Sequence, residues 1–119
     1  YPSEIGKLMD VFAERANTER PDMTNYVLRA TEIHHTFLAI YPLAEANEEM
    51  ARLLFYYYLM TKGYCVFALD YSDREYNAAI AEYMKDGDLS PFAAMAEHAL
   101  YNKLEMMMQV TARNQTEVN

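Results

Sequence analysis

Three glycines and four prolines are all that 119 residues offer for breaking a helix, and their positions decide what this chain can fold into. Pro21, Pro42, Gly63, Gly87 and Pro91 divide it into blocks whose apolar residues recur at helical spacing. The first block starts after Pro2, with Ser3 as N-cap because its hydroxyl can accept from a free first-turn N–H. Ile5, Leu8, Met9, Phe12, Ala13 and Ala16 share one face of it. A polar connector from Asn17 to Asp22 follows. The second block runs from about Met23 to Ile40, with Val27, Ala30, Ile33, Phe37 and Leu38 or Tyr41 turned inward. It stops where Pro42 disfavours helical geometry at Tyr41.

The third block starts near Asn47 and carries Leu53, Leu54, Tyr57, Tyr58 and Met60. Lys62 and Gly63 close it, a cation in the last turn and a glycine just beyond. Tyr64 to Leu69 is a short apolar run that reads as extended chain or as a buried helical turn. Ser72-Asp73-Arg74-Glu75 is a capping box that opens a fourth helix, with Tyr76, Ile80, Tyr83 and Met84 as its stripe and Gly87 as its stop. Ser90 and Pro91 then serve as N-cap and first position of the last helix. Its inner face takes Phe92, Met95, Ala96, Ala99 and Leu104, with Met106 to Met108 near its end. Residues 111–119 read as a polar, frayed tail. The expectation is one compact all-α domain over 1–110.

Composition narrows the function. A 52% hydrophobic chain of this length can bury a core. Eighteen acidic against ten scattered basic residues, net charge -8, argue against nucleic acid, which demands clustered Lys and Arg. One cysteine, Cys65, rules out an internal disulfide framework and reads as a small buried hydrophobe. The most apolar stretch, Leu53 to Leu69, is interrupted by Lys62 and Gly63. A soluble, cytoplasmic chain with no membrane contact is therefore expected. It starts on Tyr1 in place of Met, the start expected of a piece of something longer.

Few residues present recognisable chemistry. His34 and His35 are adjacent, and neighbours on a helix do not share a face, so both are expected as structural histidines. Glu32 and His35 form one Glu-x-x-His pair, but a di-iron bundle needs a second on another helix, and the adjacent Glu97 and His98 do not supply it. The Tyr56-Tyr57-Tyr58 run and the three consecutive methionines read as helix packing, with some of these side chains necessarily outward and open to a protein partner.

The loop Tyr41 to Glu49, YPLAEANEE, is different. It runs into a helix N-terminus, where free N–H groups make an anion site, yet it carries Glu45, Glu48 and Glu49. Taken alone, these carboxylates stabilise the helix dipole by a few tenths to about 1 kcal/mol.

With its flanking helices, that loop resembles the motif of the Fic (Fido) family. The block TEIHHTFLAIYPLAEANEEMARLLFYYYLMTKGY, Thr31 to Tyr64, is similar to a helix with an "LHHRF" segment, the motif HPFxDGNGRxxR and an "RLL…L…GY" helix. The segments PSEIGKLMDVFAERAN and SDREYNAAIAEYMKDGDLSPFAAMAEHAL are similar to the regions before and after it. The resemblance implies a Fic-like helical core without the β-hairpin flap that precedes it in family enzymes. It also implies an ancestral activity, transfer of AMP from ATP to a protein hydroxyl. There the loop histidine is the base, the acidic residue holds Mg²⁺, and the Gly-Asn-Gly-Arg segment cradles phosphate.

This chain reads YPLAEANEEMAR across that motif. Tyr41 stands at the base position, and a phenol that normally titrates near 10 is a poor base at neutral pH. Leu43 replaces the aromatic. Glu45 replaces the aspartate and remains the one candidate metal ligand. Ala46 and Asn47 follow, as in the Doc branch of the family. Glu48 stands where glycine lets phosphate touch the backbone, and Glu49 reverses the charge of the phosphate-binding arginine. Arg52, the motif's second arginine, is retained. With Asn47 it would contact a nucleotide if one bound. Loss of the base costs about 3–5 kcal/mol of barrier, and Arg to Glu adds a few kcal/mol more. The inhibitory pattern Ser/Thr-x-x-x-Glu is also missing, since Thr111 is followed four positions on by Gln115. The expectation is a degenerate site with no cofactor, in a binding, regulatory or structural module. The alternative is a divergent transferase using Mg²⁺ and ATP.

Overall fold

The computed structural model describes residues 2–20 and 25–118, with side chains over 4–20 and 25–115. Five α-helices follow one another: α1 (Pro2–Asn17), α2 (Tyr26–Ile40), α3 (Asn47–Thr61), α4 (Asp73–Asp86) and α5 (Ser90–Val118). No strand occurs among the described residues, so the all-α expectation holds. No helix among them is long and apolar enough to cross a membrane.

α2 is the centre. It packs against each of the other four helices, and α3 runs alongside it. Nine of its fifteen residues are buried, and they go almost all the way round: Val27, Arg29, Ala30, Thr31, Ile33, His34, His35, Phe37 and Leu38. A helix apolar around most of its circumference belongs inside. The polar members satisfy themselves close by. Thr31 Oγ1 donates to the Val27 carbonyl at 2.8 Å, the helical back-bond open to a buried threonine. Arg29, 4% exposed, pairs with Glu32 and donates to the carbonyls of Arg15 and Thr18 at 2.5 and 3.4 Å. A cation is thereby set on the end of α1, where helix carbonyls lack partners.

Around α2 the core is aromatic. Phe55 of α3 and Phe92 of α5 are fully buried and meet edge to face, centroids 5.5 Å apart at 86°. Phe12 of α1 meets Phe37 of α2 in the same way at 5.8 Å. Phe67 reaches in from the segment between α3 and α4, which is neither strand nor helix. Cys65 is partly buried against this cluster.

Most helix boundaries follow the breakers. Ser72 Oγ accepts from the Glu75 N–H at 3.1 Å, so Ser72 caps α4 as expected, while the Glu75 carboxylate accepts from the Ser72 hydroxyl at 3.2 Å. Gly63 and Gly87 take φ of +87° and +76° at the ends of α3 and α4, the left-handed conformation that favours glycine. Other boundaries move. Asn25, not a residue near Met23, caps α2 by accepting from the Leu28 N–H at 3.1 Å; Met23 itself lies outside the described residues. α1 already includes Ser3, whose side chain is not among those described. Ser90 is already the first residue of α5, one place further in than expected, and Asp88 receives both its N–H and its hydroxyl, at 2.9 and 2.6 Å.

Of the two inward alternatives at the end of α2, Leu38 is buried and Tyr41, 53% exposed, leaves the helix. Two inward assignments need correction. Met84 faces out, with Ala79 buried in its stead on α4. Leu104 and Met106 to Met108 are exposed because α5 outruns the bundle. Its 29 residues span about 43 Å, and the molecule measures 64 × 31 × 27 Å. α5 continues to Val118, through the segment expected as a tail.

Phe92 sits where α2, α3, α4 and α5 meet. Phe92→Ala is expected to cost about 3–5 kcal/mol, read as a lowered urea midpoint with unchanged slope. A loss under about 1 kcal/mol would contradict this packing.

Candidate functional site

The connection between α2 and α3 is short and held at both ends by left-handed residues that are not glycine. Tyr41 ends α2 at φ 52°, ψ 56°, its N–H donating to the Phe37 carbonyl at 3.0 Å. Ala46 precedes α3 at φ 66°, ψ 26°, and offers no side-chain cap. Such a conformation costs an L-residue roughly 1–2 kcal/mol. Asn47 braces the turn between them. Fully buried, its Oδ1 accepts from the Leu43 N–H at 2.9 Å and its Nδ2 donates to the Leu43 carbonyl at 3.0 Å. Both ends of the amide are thus spent on the loop itself.

The remaining side chains pair along the loop and the first turn of α3. Tyr41 Oη donates to Glu48 at 3.3 Å. Glu49, two-thirds exposed, stands 4.0 Å from Arg52 Nη2. Arg52 turns inward: Nη1 donates to Tyr71 Oη at 3.4 Å, and the guanidinium lies over the Tyr76 ring at 5.5 Å. Glu45 and Leu43 are exposed. A phosphate approaching this helix N-terminus would meet two carboxylates in the first turn. It would also find the Asn47 amide committed to Leu43 and Arg52 on tyrosines. That donor set does not fit a nucleotide phosphate. Among the described residues, no three His, Cys, Asp or Glu side chains gather as a metal site.

Behind Arg52 lies a network that local spacing does not reveal. Tyr76 Oη and His34 Nε2 are 3.2 Å apart, and His34 Nδ1 and His35 Nδ1 are 2.8 Å apart. Adjacent helical residues were expected on different faces. Here both faces are buried, and the two rings converge across the helix surface. Phe92 stacks on His34 at 4.5 Å, while Tyr83 and Phe92 flank His35 at 4.9 and 5.0 Å. Between the Nδ1 atoms one ring must donate and the other accept, so the two tautomers are coupled. His35 Nε2 is buried with no hydrogen-bond partner. Glu32 does not pair with His35; it receives Arg29 and Arg20.

This pocket keeps both rings neutral. Burial, then His35 and Arg52, lowers His34 from 6.5 to about 3. Burial lowers His35 to about 4. Burial, with Tyr71 alongside, pushes the Tyr76 phenol well above its ordinary value. His34 and Tyr76 are 42 residues apart, and no motif spacing joins them. The signal that could have pointed to them is two histidines inside an otherwise apolar helix, which must find polar partners there.

Compared with models of known protein families, the chain matches none.

Two expectations follow. Ala46→Gly removes the left-handed penalty where nothing else is lost, and should raise stability by about 0.5–1 kcal/mol; a loss would contradict the assigned backbone. The histidines impose a pH dependence. Unfolded rings titrate near 6.5 and the folded ones at about 3 and about 4. Below pH 6.5 the unfolded chain takes up protons that the folded chain refuses, so this contribution is complete above 6.5 and declines toward 4. The decline is about 1.4 kcal/mol per pH unit per ring. Urea titrations between pH 7 and 4.5 should show a shallower decline for His35→Gln than for the parent chain; equal slopes would contradict the account.

Proposed function

We infer that this chain is a non-catalytic helical module of the Fic type, whose former nucleotide loop now serves as a rigid connector in a protein that binds, regulates or scaffolds a partner. The observation that carries the reading is the α3 N-terminus, where Glu48 and Glu49 occupy the first turn and Asn47 is locked onto Leu43. In the motif that the loop resembles, those positions cradle phosphate. Here the carboxylates would repel an anion, and the Asn47 side-chain amide is engaged with Leu43. The base position adds to the argument, because Tyr41 hydrogen-bonds a carboxylate and no histidine occupies the loop. The Fic assignment itself rests on the sequence resemblance from Thr31 to Tyr64.

Isothermal titration with Mg-ATP tests the reading. No binding is expected up to millimolar nucleotide. Micromolar affinity, or transfer of labelled AMP to a protein hydroxyl that is abolished by Glu45→Ala, would overturn it in favour of a divergent transferase.

A further inference from the structure

A cleft of about 660 Å³ opens between α1, α2 and α3, a size usual for small-molecule sites. Buried Phe12 and Ile33 and half-buried Ala16 and Leu54 form its floor. Tyr26, Tyr57 and Tyr58 add three more rings to the lining. The charge of this lining is the reverse of the chain's. Against a net charge of -8 overall, the cleft brings together Arg20, Arg29 and Lys62 with Glu19 as its one acidic residue among those described. Most of its polar side chains are already engaged. Asn17, Thr18 and Thr61 donate to the carbonyls of Ala13, Glu14 and Tyr58 at 2.9, 2.7 and 2.6 Å. Arg20 and Arg29 both pair with Glu32. Lys62 differs. Its ammonium lies over the rings of Tyr26 and Tyr58, 5.2 and 5.7 Å from their centroids, and no ion pair among the described residues includes it. Ring faces attract a cation without neutralising it, so the ammonium keeps N–H donors for an anion.

We propose that this cleft binds a small aromatic carboxylate, with its rings on the apolar floor and its carboxylate on Lys62. Each part of the ligand follows from the lining. A sugar or polyol would find the threonine hydroxyls and the Asn17 amide taken by their own helices. A phosphate would bring a second negative charge beside Glu19, with one unpaired cation to meet it. An alkyl chain would cover the floor but forgo the edge and face contacts that Tyr26, Tyr57 and Tyr58 offer to another ring. Lys62 lies past the C-terminal end of α3, about 20 Å along the helix from Glu48 and Glu49. The inference therefore stands apart from the reading of the loop.

Titration of the 119-residue chain with 2-naphthoate, followed by ¹⁵N–¹H correlation spectra, tests it. The amides of Ala13, Ala16 and Tyr58 should shift and saturate with a Kd on the order of 100 µM, while those of Glu48 and Glu49 stay in place. The neutral analogue 2-naphthamide should bind about tenfold more weakly or worse. Lys62→Gln should weaken naphthoate by about tenfold and leave naphthamide unchanged. Ala13→Phe, at an exposed position of α1 that lines the cleft, should fill the space and abolish binding of both. Circular dichroism matching the parent chain shows that each variant is folded. No shift up to about 5 mM naphthoate would overturn the proposal. So would naphthamide binding as tightly as naphthoate, or naphthoate binding indifferent to Lys62→Gln or to Ala13→Phe.

Discussion

Because four helices rest on α2, that helix has almost no face left for water, and the rest of the molecule follows from this. Two histidines, a threonine and an arginine lie within it. Each must find its partner inside the bundle, because a buried polar group left unpaired costs about 1–3 kcal/mol. Arg29 resolves the problem outward, by holding the end of α1 and Glu32. His34 and His35 resolve it inward, through each other and Tyr76 of α4, with Phe92 of α5 stacked across them. Polar contacts and aromatic packing therefore coincide at one point. A single nitrogen, Nε2 of His35, is left without a partner there.

The helices were legible because their ends are marked locally. Ser72 with Glu75, Gly63 and Gly87 act within four residues, and a local signal needs no knowledge of the fold. The faces were harder to read. α3 is apolar at Leu53, Leu54, Phe55, Tyr57, Tyr58 and Met60, so periodicity could not say which side turns inward; contact with α2 selects Ala51, Phe55 and Leu59. The end of α5 shows a different failure. Its methionines have a helical pattern, but the bundle is too short to cover them.

The site divides in the same way. The departures of YPLAEANEEMAR from a phosphate-binding motif can be seen residue by residue. What the loop does instead cannot be, since it depends on side-chain direction. Asn47 could have faced a ligand and instead faces Leu43. Arg52 could have faced the helix N-terminus and instead faces Tyr71 and Tyr76. The loop has thus turned polar groups upon itself. Arg52 now links it to the aromatic wall around His34.

The central claim is that two neutral, mutually bonded histidines lie at the heart of α2. Long-range ¹⁵N–¹H correlation spectra report the tautomer of each ring directly. At pH 6 the account predicts two neutral rings with fixed tautomers, one Nδ1 protonated and the other not, and shifts that stay constant down to about pH 5. Rings that titrate near 6.5 with averaged nitrogen shifts would contradict it.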